Sequence, residues 1–262
     1  MLLSSRSFAE YVAMFSLSQA DLEGFVLDCA GGASSFTAEL GAAGGRGLAV
    51  DPLYAQAASL AERIAEDSVH LGAMRLDAQE SFTWDWYGSP EAFLDVRAAA
   101  AQRFLNDVQE RPGRYIAGSL PTLPLRDNSV DLVLSSHLLF TWADPFDQAW
   151  HKAALLEMAR VARREVRVYP LVRRGPGDPV AFLNPLLNAL NASNDPSASN
   201  DPSASNDLNG PSAVNDLNGP SHNDLNGPSR HNVLRAELRP VQYEFQRGAT
   251  EMLVVQSSSS PS

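Results

Sequence analysis

The chain has 262 residues, 44% of them hydrophobic, and a net charge of -11. That is enough apolar material for one large α/β domain or two small ones, and the acidic balance excludes a phosphate backbone as partner unless a local basic patch offsets it. The basic pairs Arg163–Arg164 and Arg173–Arg174 are short, Cys29 is the one cysteine, and no run approaches the roughly 18 apolar residues of a membrane helix; no nucleic acid, no membrane and a cytoplasmic location are the expectations.

Residues 5–20 read as a helix with Phe8, Tyr11, Val12 and Phe15 on one face. Arg6 and Glu10 break the apolar start too early for a signal peptide. "FVLDCA" reads as a short buried strand, and "ASSFTAELGAAGG" as a helix closed by Gly44 and Gly45. "GLAVDPLY" is a second strand that ends on Asp51, where Pro52 stops it. Strand, helix and strand in alternation predict a parallel sheet with crossover helices.

Residues 54–112 hold more helix than one crossover needs, together with Trp84, Trp86 and Tyr87. They read as an inserted helical cap, and the aromatic trio either lines an acceptor pocket for an aromatic or cationic molecule or anchors the cap. "GRYIAGSLPTLPL" then reads as a third strand ending near Ser119. "SVDLVLSSHLLF" is a nearly continuous apolar strand, as buried parallel strands are. "DQAWHKAALLEMARVARR" is an amphipathic helix and "EVRVYPLV" a fifth strand.

Residues 193–230 repeat "NDPSAS" and "NDLNGPS", turn formers with almost nothing to bury. They read as a low-complexity disordered insert within one domain formed by 1–192 and 231–256. "NVLRAELRPVQYEF" and "ATEMLVVQ" read as two last strands, and 257–262 as a flexible tail.

In an open α/β sheet, ligands bind beyond the C-terminal ends of the strands. Asp28 ends strand one and small residues follow it, allowing close approach to the backbone; the next helix would offer N–H groups. Asp51 ends strand two, where an acid can accept from both hydroxyls of a ribose. A nucleoside-bearing cofactor across the two strand ends is the expectation. As a dinucleotide fingerprint, Ala30, Gly32 and Ser35 supply one glycine of three.

"VLDCAGGASS", "AVDPLY", "AGSLPTLPLRDNSVDLVLSSHLLFTW" and "LLEMARVARREVRVYPL", in that order, resemble the class I S-adenosylmethionine-dependent methyltransferases, of the type 11 kind. Asp28 and Gly32 match the family's first motif; Ala30 and Ser34 depart from it with other small residues, and the usual Pro-Gly-Gly turn before strand five is missing. The resemblance implies a Rossmann-like, doubly wound, mostly parallel seven-stranded sheet with a C-terminal antiparallel strand pair. It implies S-adenosyl-L-methionine as cofactor, with Asp28, Ala30 and Gly32 flanking the methionine part. Asp51 would hold the ribose, Pro52 or Leu53 would cover the adenine, and Ser119 and Leu120 would touch its other edge. Arg6 and Tyr11 could close over the cofactor carboxylate.

The implied reaction is methyl transfer to a small-molecule acceptor by in-line displacement, which needs positioning more than covalent help. His137, just past strand four, is either the base that takes a proton from the acceptor or a structural histidine. His151 reads as a surface residue, Cys29 as a small core filler, and the scattered His70, His222 and His231 predict no metal site. Two other functions fit the same crevice: an NAD(P)-dependent oxidoreductase, which lacks a Tyr-x-x-x-Lys pattern here, and a non-catalytic binding module. The base-methylating Asn/Asp-Pro-Pro-Tyr/Phe motif is replaced by "SSHLLF".

Overall fold

The computed structural model describes residues 3–77, 79–175, 177–192 and 233–258. The chain opens with helices α1 (Phe8–Met14) and α2 (Gln19–Glu23), then runs β1 (Phe25–Cys29), α3 (Phe36–Ala42) and β2 (Arg46–Val50). Helices α4 (Leu60–Asp77) and α5 (Pro90–Glu110) intervene before β3 (Tyr115–Ile116) and β4 (Val130–Ser136). Next come α6 (Gln148–Val161), β5 (Ala162–Tyr169), α7 (Leu183–Ala192), β6 (Val233–Pro240) and β7 (Glu251–Ser258).

The seven strands lie in the order β3-β2-β1-β4-β5-β7-β6. The first five pair in parallel, and β7 enters antiparallel between β5 and β6. An all-parallel dinucleotide-binding sheet has no such pair, so the expectation of a Rossmann-like sheet with an antiparallel end holds in detail. Apolar side chains cover both faces of the sheet. Leu27, Val133, Val166 and Leu253 meet α6 through Leu155 and Met158; Val26, Leu132 and Val254 meet α1 and α3 through Tyr11, Phe15 and Phe36. Each buried Leu, Val or Phe contributes about 1.5–3 kcal/mol.

Several boundaries differ from the sequence reading. The helix expected over 5–20 is two helices, because Ser16 turns with φ 47° and Ser18 starts α2 with a capping box completed by Asp21. Strand three is two residues long, since the chain leaves the sheet after Ile116 and turns at Ser119–Thr122. β4 stops at Ser136, where His137 turns with φ 56°. α6 ends at Val161, and the arginines expected in its last turn belong to β5. α7 was not expected. β6 ends at Pro240, so Val241–Phe245 form a loop, while Ser257 and Ser258, expected in the tail, extend β7. The repeats 193–230 and the last tail residues lie outside the described residues.

On the outer edge of β6, a side chain of α7 engages the backbone at Ala236. The Asn191 amide donates to the Ala236 carbonyl (3.0 Å) and accepts from the Ala236 N–H (2.8 Å). Asn191 stands in the last turn of α7, whose Leu186 and Leu190 are buried against the sheet. Among the described residues, no helix is long and apolar enough to cross a membrane.

Candidate active site

Beyond the ends of β1, β2 and β4 lies a cavity of about 420 Å³. Its floor is the turn after β1. Ala30 (φ 59°) and Gly32 (φ 55°) both sit in the left-handed region, which costs a non-glycine residue roughly 1–2 kcal/mol. Gly31, between them, cannot carry a side chain without crowding: a Cβ there would meet Asp28 Oδ2 and the Tyr54 hydroxyl, each at 3.0 Å.

Asp51 ties this turn to the next one. Its Oδ2 accepts from the Gly32 N–H (3.1 Å) and its Oδ1 from the Leu53 N–H (2.9 Å), capping the turn of 3-10 helix over Pro52–Ser59. Tyr54 closes the link by donating to the Gly32 carbonyl (2.8 Å). Burial raises the Asp51 carboxyl above its ordinary range, and the two backbone N–H groups oppose that.

Asp28 stands behind the turn and not in the cavity wall. It is 1% exposed; its Oδ1 accepts from the Tyr11 hydroxyl (2.9 Å) and its Oδ2 has no partner among the described residues. Burial pushes this carboxyl up to about 7, against the Tyr11 hydrogen bond that lowers it. Asp28, expected beside the methionine part of the cofactor, is held beneath the turn by Tyr11.

The N–H groups expected at the start of α3 are also engaged. Ser35 donates to the Arg6 carbonyl (2.9 Å) and Phe36 to Ser34 Oγ (3.0 Å). The N-terminal segment thus crosses the start of this helix at Arg6.

That crossing brings Arg6 and Tyr11 to the cavity. Arg6 is 6% exposed, and its Nε is buried without a partner among the described residues. Its Nη1 meets Glu10 Oε1 at 3.4 Å. Glu10 is itself shared: Arg97 from α5 binds both its oxygens (2.6 and 2.7 Å), and the Tyr87 hydroxyl donates to it (2.5 Å). Burial alone would raise the Glu10 carboxyl; Arg97 and Arg6 bring it down to about 2.

The other residues expected around a cofactor also line the cavity. Pro52 and Leu53 line one side, Ser119 and Leu120 another. His137 lines the cavity beside the end of β4, with Nδ1 2.8 Å from Ser136 Oγ and the ring edge-on to Tyr169. Its backbone N–H donates to the Tyr169 carbonyl (2.7 Å), which fixes the turn that presents it.

Trp84, Trp86 and Tyr87 do not line the cavity. Trp84 and Tyr87 pack on Phe93 and Phe245, and Trp86 lies edge-on to Tyr243. They anchor the helical segment to the loop between β6 and β7. The aromatic wall comes instead from Trp142, Phe146 and Trp150, which the sequence reading missed. Their spacing of four was the available signal.

His151, expected at the surface, is fully buried. Its ring nitrogens lie 2.8 Å from the Asp147 carbonyl and 2.9 Å from the Leu139 carbonyl, pinning the loop after β4 to α6. Cys29 is a buried core side chain, and burial pushes its thiol far up. Among the described residues, no group of three or more His, Cys, Asp or Glu side chains could hold a metal ion.

Residues 87–169 match the family model of a methyltransferase domain, from just before α5 to the end of β5. An uncharacterised protein of Methanocaldococcus jannaschii is 27% identical over 195 residues, covering 72% of this chain and 86% of its own. Among solved structures, the magnesium protoporphyrin IX methyltransferase of Synechocystis with bound S-adenosylmethionine is 13% identical, covering 96% of this chain and 78% of that one, with a TM-score of 0.41. A candidate S-adenosylmethionine-dependent methyltransferase of Methanococcus maripaludis is 14% identical with a TM-score of 0.31, covering 64% of this chain. The chain spans about half the length of that protein, 54%. Scores this low carry no weight for function.

Proposed function

We propose that this chain is a class I methyltransferase, which its sheet order and the match of residues 87–169 support, and that it transfers a methyl group from S-adenosylmethionine to a small-molecule acceptor. One observation carries the reading. The cavity opens where the β1 turn and Asp51 are knitted together, and the largely buried side chain of Arg6 is among the residues that line it.

These residues fit the cofactor's chemistry. Asp51 can accept from a ribose diol with the lone pairs its two N–H donors leave. The turn Ala30–Gly32 lets a ligand lie against bare backbone. Arg6 can present its guanidinium to a carboxylate while Glu10 holds Nη1. Pro52, Leu53 and Leu120 offer apolar faces to a purine.

S-adenosylmethionine supplies, when bound, a methyl group on a cationic sulfur open to in-line displacement. The chain's part is to hold the acceptor in line, exclude water and manage one proton. Such a displacement would form the acceptor–methyl bond, break the methyl–sulfur bond and leave its electron pair on sulfur. A proton carried by the acceptor passes to the His137 imidazole.

The test is calorimetric titration with S-adenosylmethionine and S-adenosylhomocysteine, on the wild type and on Asp51→Asn. Micromolar binding, weakened at least tenfold by the substitution, is expected. A folded wild type that binds neither compound would overturn the proposal.

A further inference from the structure

The cavity has two chemically different ends. The end at β1 and β2 carries Arg6, Asp51 and the bare backbone of the turn. The other end is the loop after β4 and the start of α6, where Trp142, Phe146 and Trp150 form the wall beside His137 and Leu138. All three rings are half-buried. Phe146 and Trp150 stack with centroids 3.9 Å apart and planes 14° from parallel. Such a wall offers broad flat faces and few hydrogen-bonding atoms.

Aromatic faces suit either a flat ring or a cation, and the charges here separate the two. Trp142 already carries a cation: the Arg174 guanidinium stands 4.9 Å from its centroid. Arg6 and Arg63 also line the cavity, and Asp51 is the one carboxylate among the described lining residues. A second cation at the wall would meet the Arg174 guanidinium, whereas Arg6 and Arg63 are already paired with Glu10 and Asp67. An uncharged ring meets no such penalty.

We propose that the acceptor is a flat, uncharged aromatic ring bearing a nucleophilic hydroxyl, seated on the wall of Trp142, Phe146 and Trp150 with the hydroxyl towards His137. This rests on the methyltransferase reading above and adds the acceptor's chemical class. The ring oxygen forms the new bond to the methyl carbon, and its proton goes to the imidazole.

The test uses 2-naphthol as probe and tryptamine as its cationic counterpart, titrated into full-length protein saturated with S-adenosylhomocysteine. Trp142→Leu and Phe146→Leu keep apolar volume and remove the rings; their melting curves report folding. The expected result is 2-naphthol binding at least tenfold tighter than tryptamine, weakened at least fivefold in each variant, with affinity for S-adenosylhomocysteine changed by less than twofold. Tryptamine binding as well as 2-naphthol, or 2-naphthol binding indifferent to both variants, would overturn the inference. So would variants that lose S-adenosylhomocysteine and keep 2-naphthol, since the wall would then belong to the adenine. Wild-type protein that fails to bind S-adenosylhomocysteine counts against the cofactor reading, and 2-naphthol titrated alone then decides for or against the aromatic wall.

Discussion

Tyr11 and Asp28, seventeen positions apart, meet through a 2.9 Å hydrogen bond buried beneath the turn after β1. The phenol is the donor. The bond places an ionisable carboxyl at the junction of the N-terminal helix and the cavity floor, with its second oxygen unpartnered among the described residues.

A pH dependence follows from it. Asp28 binds its proton up to about pH 7 in the folded chain and only to about 4 when unfolded. Between those values the folded state holds a proton that the unfolded state has released, so this group's contribution to stability falls as pH rises. Over that window the loss is at most about 4 kcal/mol. Urea denaturation of wild type and Asp28→Asn at pH 4.5, 6 and 8 measures it: the variant gains relative to wild type as pH rises. A constant difference would place the carboxyl's pKa outside the window.

Glu10 behaves oppositely. Its carboxyl is held near 2 by Arg97 and Arg6, so its stabilisation is complete above about 4.5 and is lost as pH falls towards 2. Arg97→Met leaves the buried carboxylate underpaired and should cost about 3–5 kcal/mol at pH 7. Glu10→Gln combined with Arg97→Met should recover part of that loss, measured by thermal melting. Equal destabilisation by the single and the double variant would show that packing, not charge, dominates at this site.

Glycine positions in the same chain give a graded series. Gly31→Ala drives a methyl towards a carboxyl and a hydroxyl at 3.0 Å and should cost about 1–3 kcal/mol. Gly113→Ala places its methyl where nothing lies within 4 Å and should be neutral. Urea midpoints compare the two. A Gly31→Ala variant as stable as Gly113→Ala would mean that the turn yields easily.

Asp51 separates capping from binding. Asp51→Ala removes both acceptors of the Gly32 and Leu53 N–H groups and should cost about 1–2 kcal/mol of stability. Asp51→Asn keeps one acceptor oxygen and most of that stability, but loses the charge that favours a diol, a loss of about 1.5–3 kcal/mol in binding. Melting and S-adenosylhomocysteine titration of both variants check this. Asn binding as tightly as wild type would assign Asp51 to the turn alone.

The parts of this molecule that were legible in the sequence carry their cause locally. "VDLVLSS" is an unbroken apolar run and is a central strand; Asp51 follows such a run and stands at a strand end. Ser18 and Asp21 also spelled a helix start, and the apolar spacing of Phe8 to Phe15 masked it. What depended on distant contacts was not legible. Trp84 finds Phe245 more than 160 residues away, and nothing near either residue announces the pair. Trp142, Phe146 and Trp150 keep helical spacing, but Pro145 interrupts the pattern, so the stripe reads as loop. Asp28 stands at the strand end as expected, but its bond to Tyr11 was not legible, because side-chain direction follows from register that only the assembled sheet fixes.

The single amide of Asn191 has a consequence for how the molecule behaves in company. An edge strand with free N–H and C=O groups is an invitation to any other strand, including the same one in a neighbouring copy. At Ala236, in the first half of β6, both groups are already spoken for by a side chain that imitates a peptide. A strand arriving there finds the position at Ala236 filled, which opposes its pairing along that half of the edge. Asn191→Leu would keep the helix and reopen the edge.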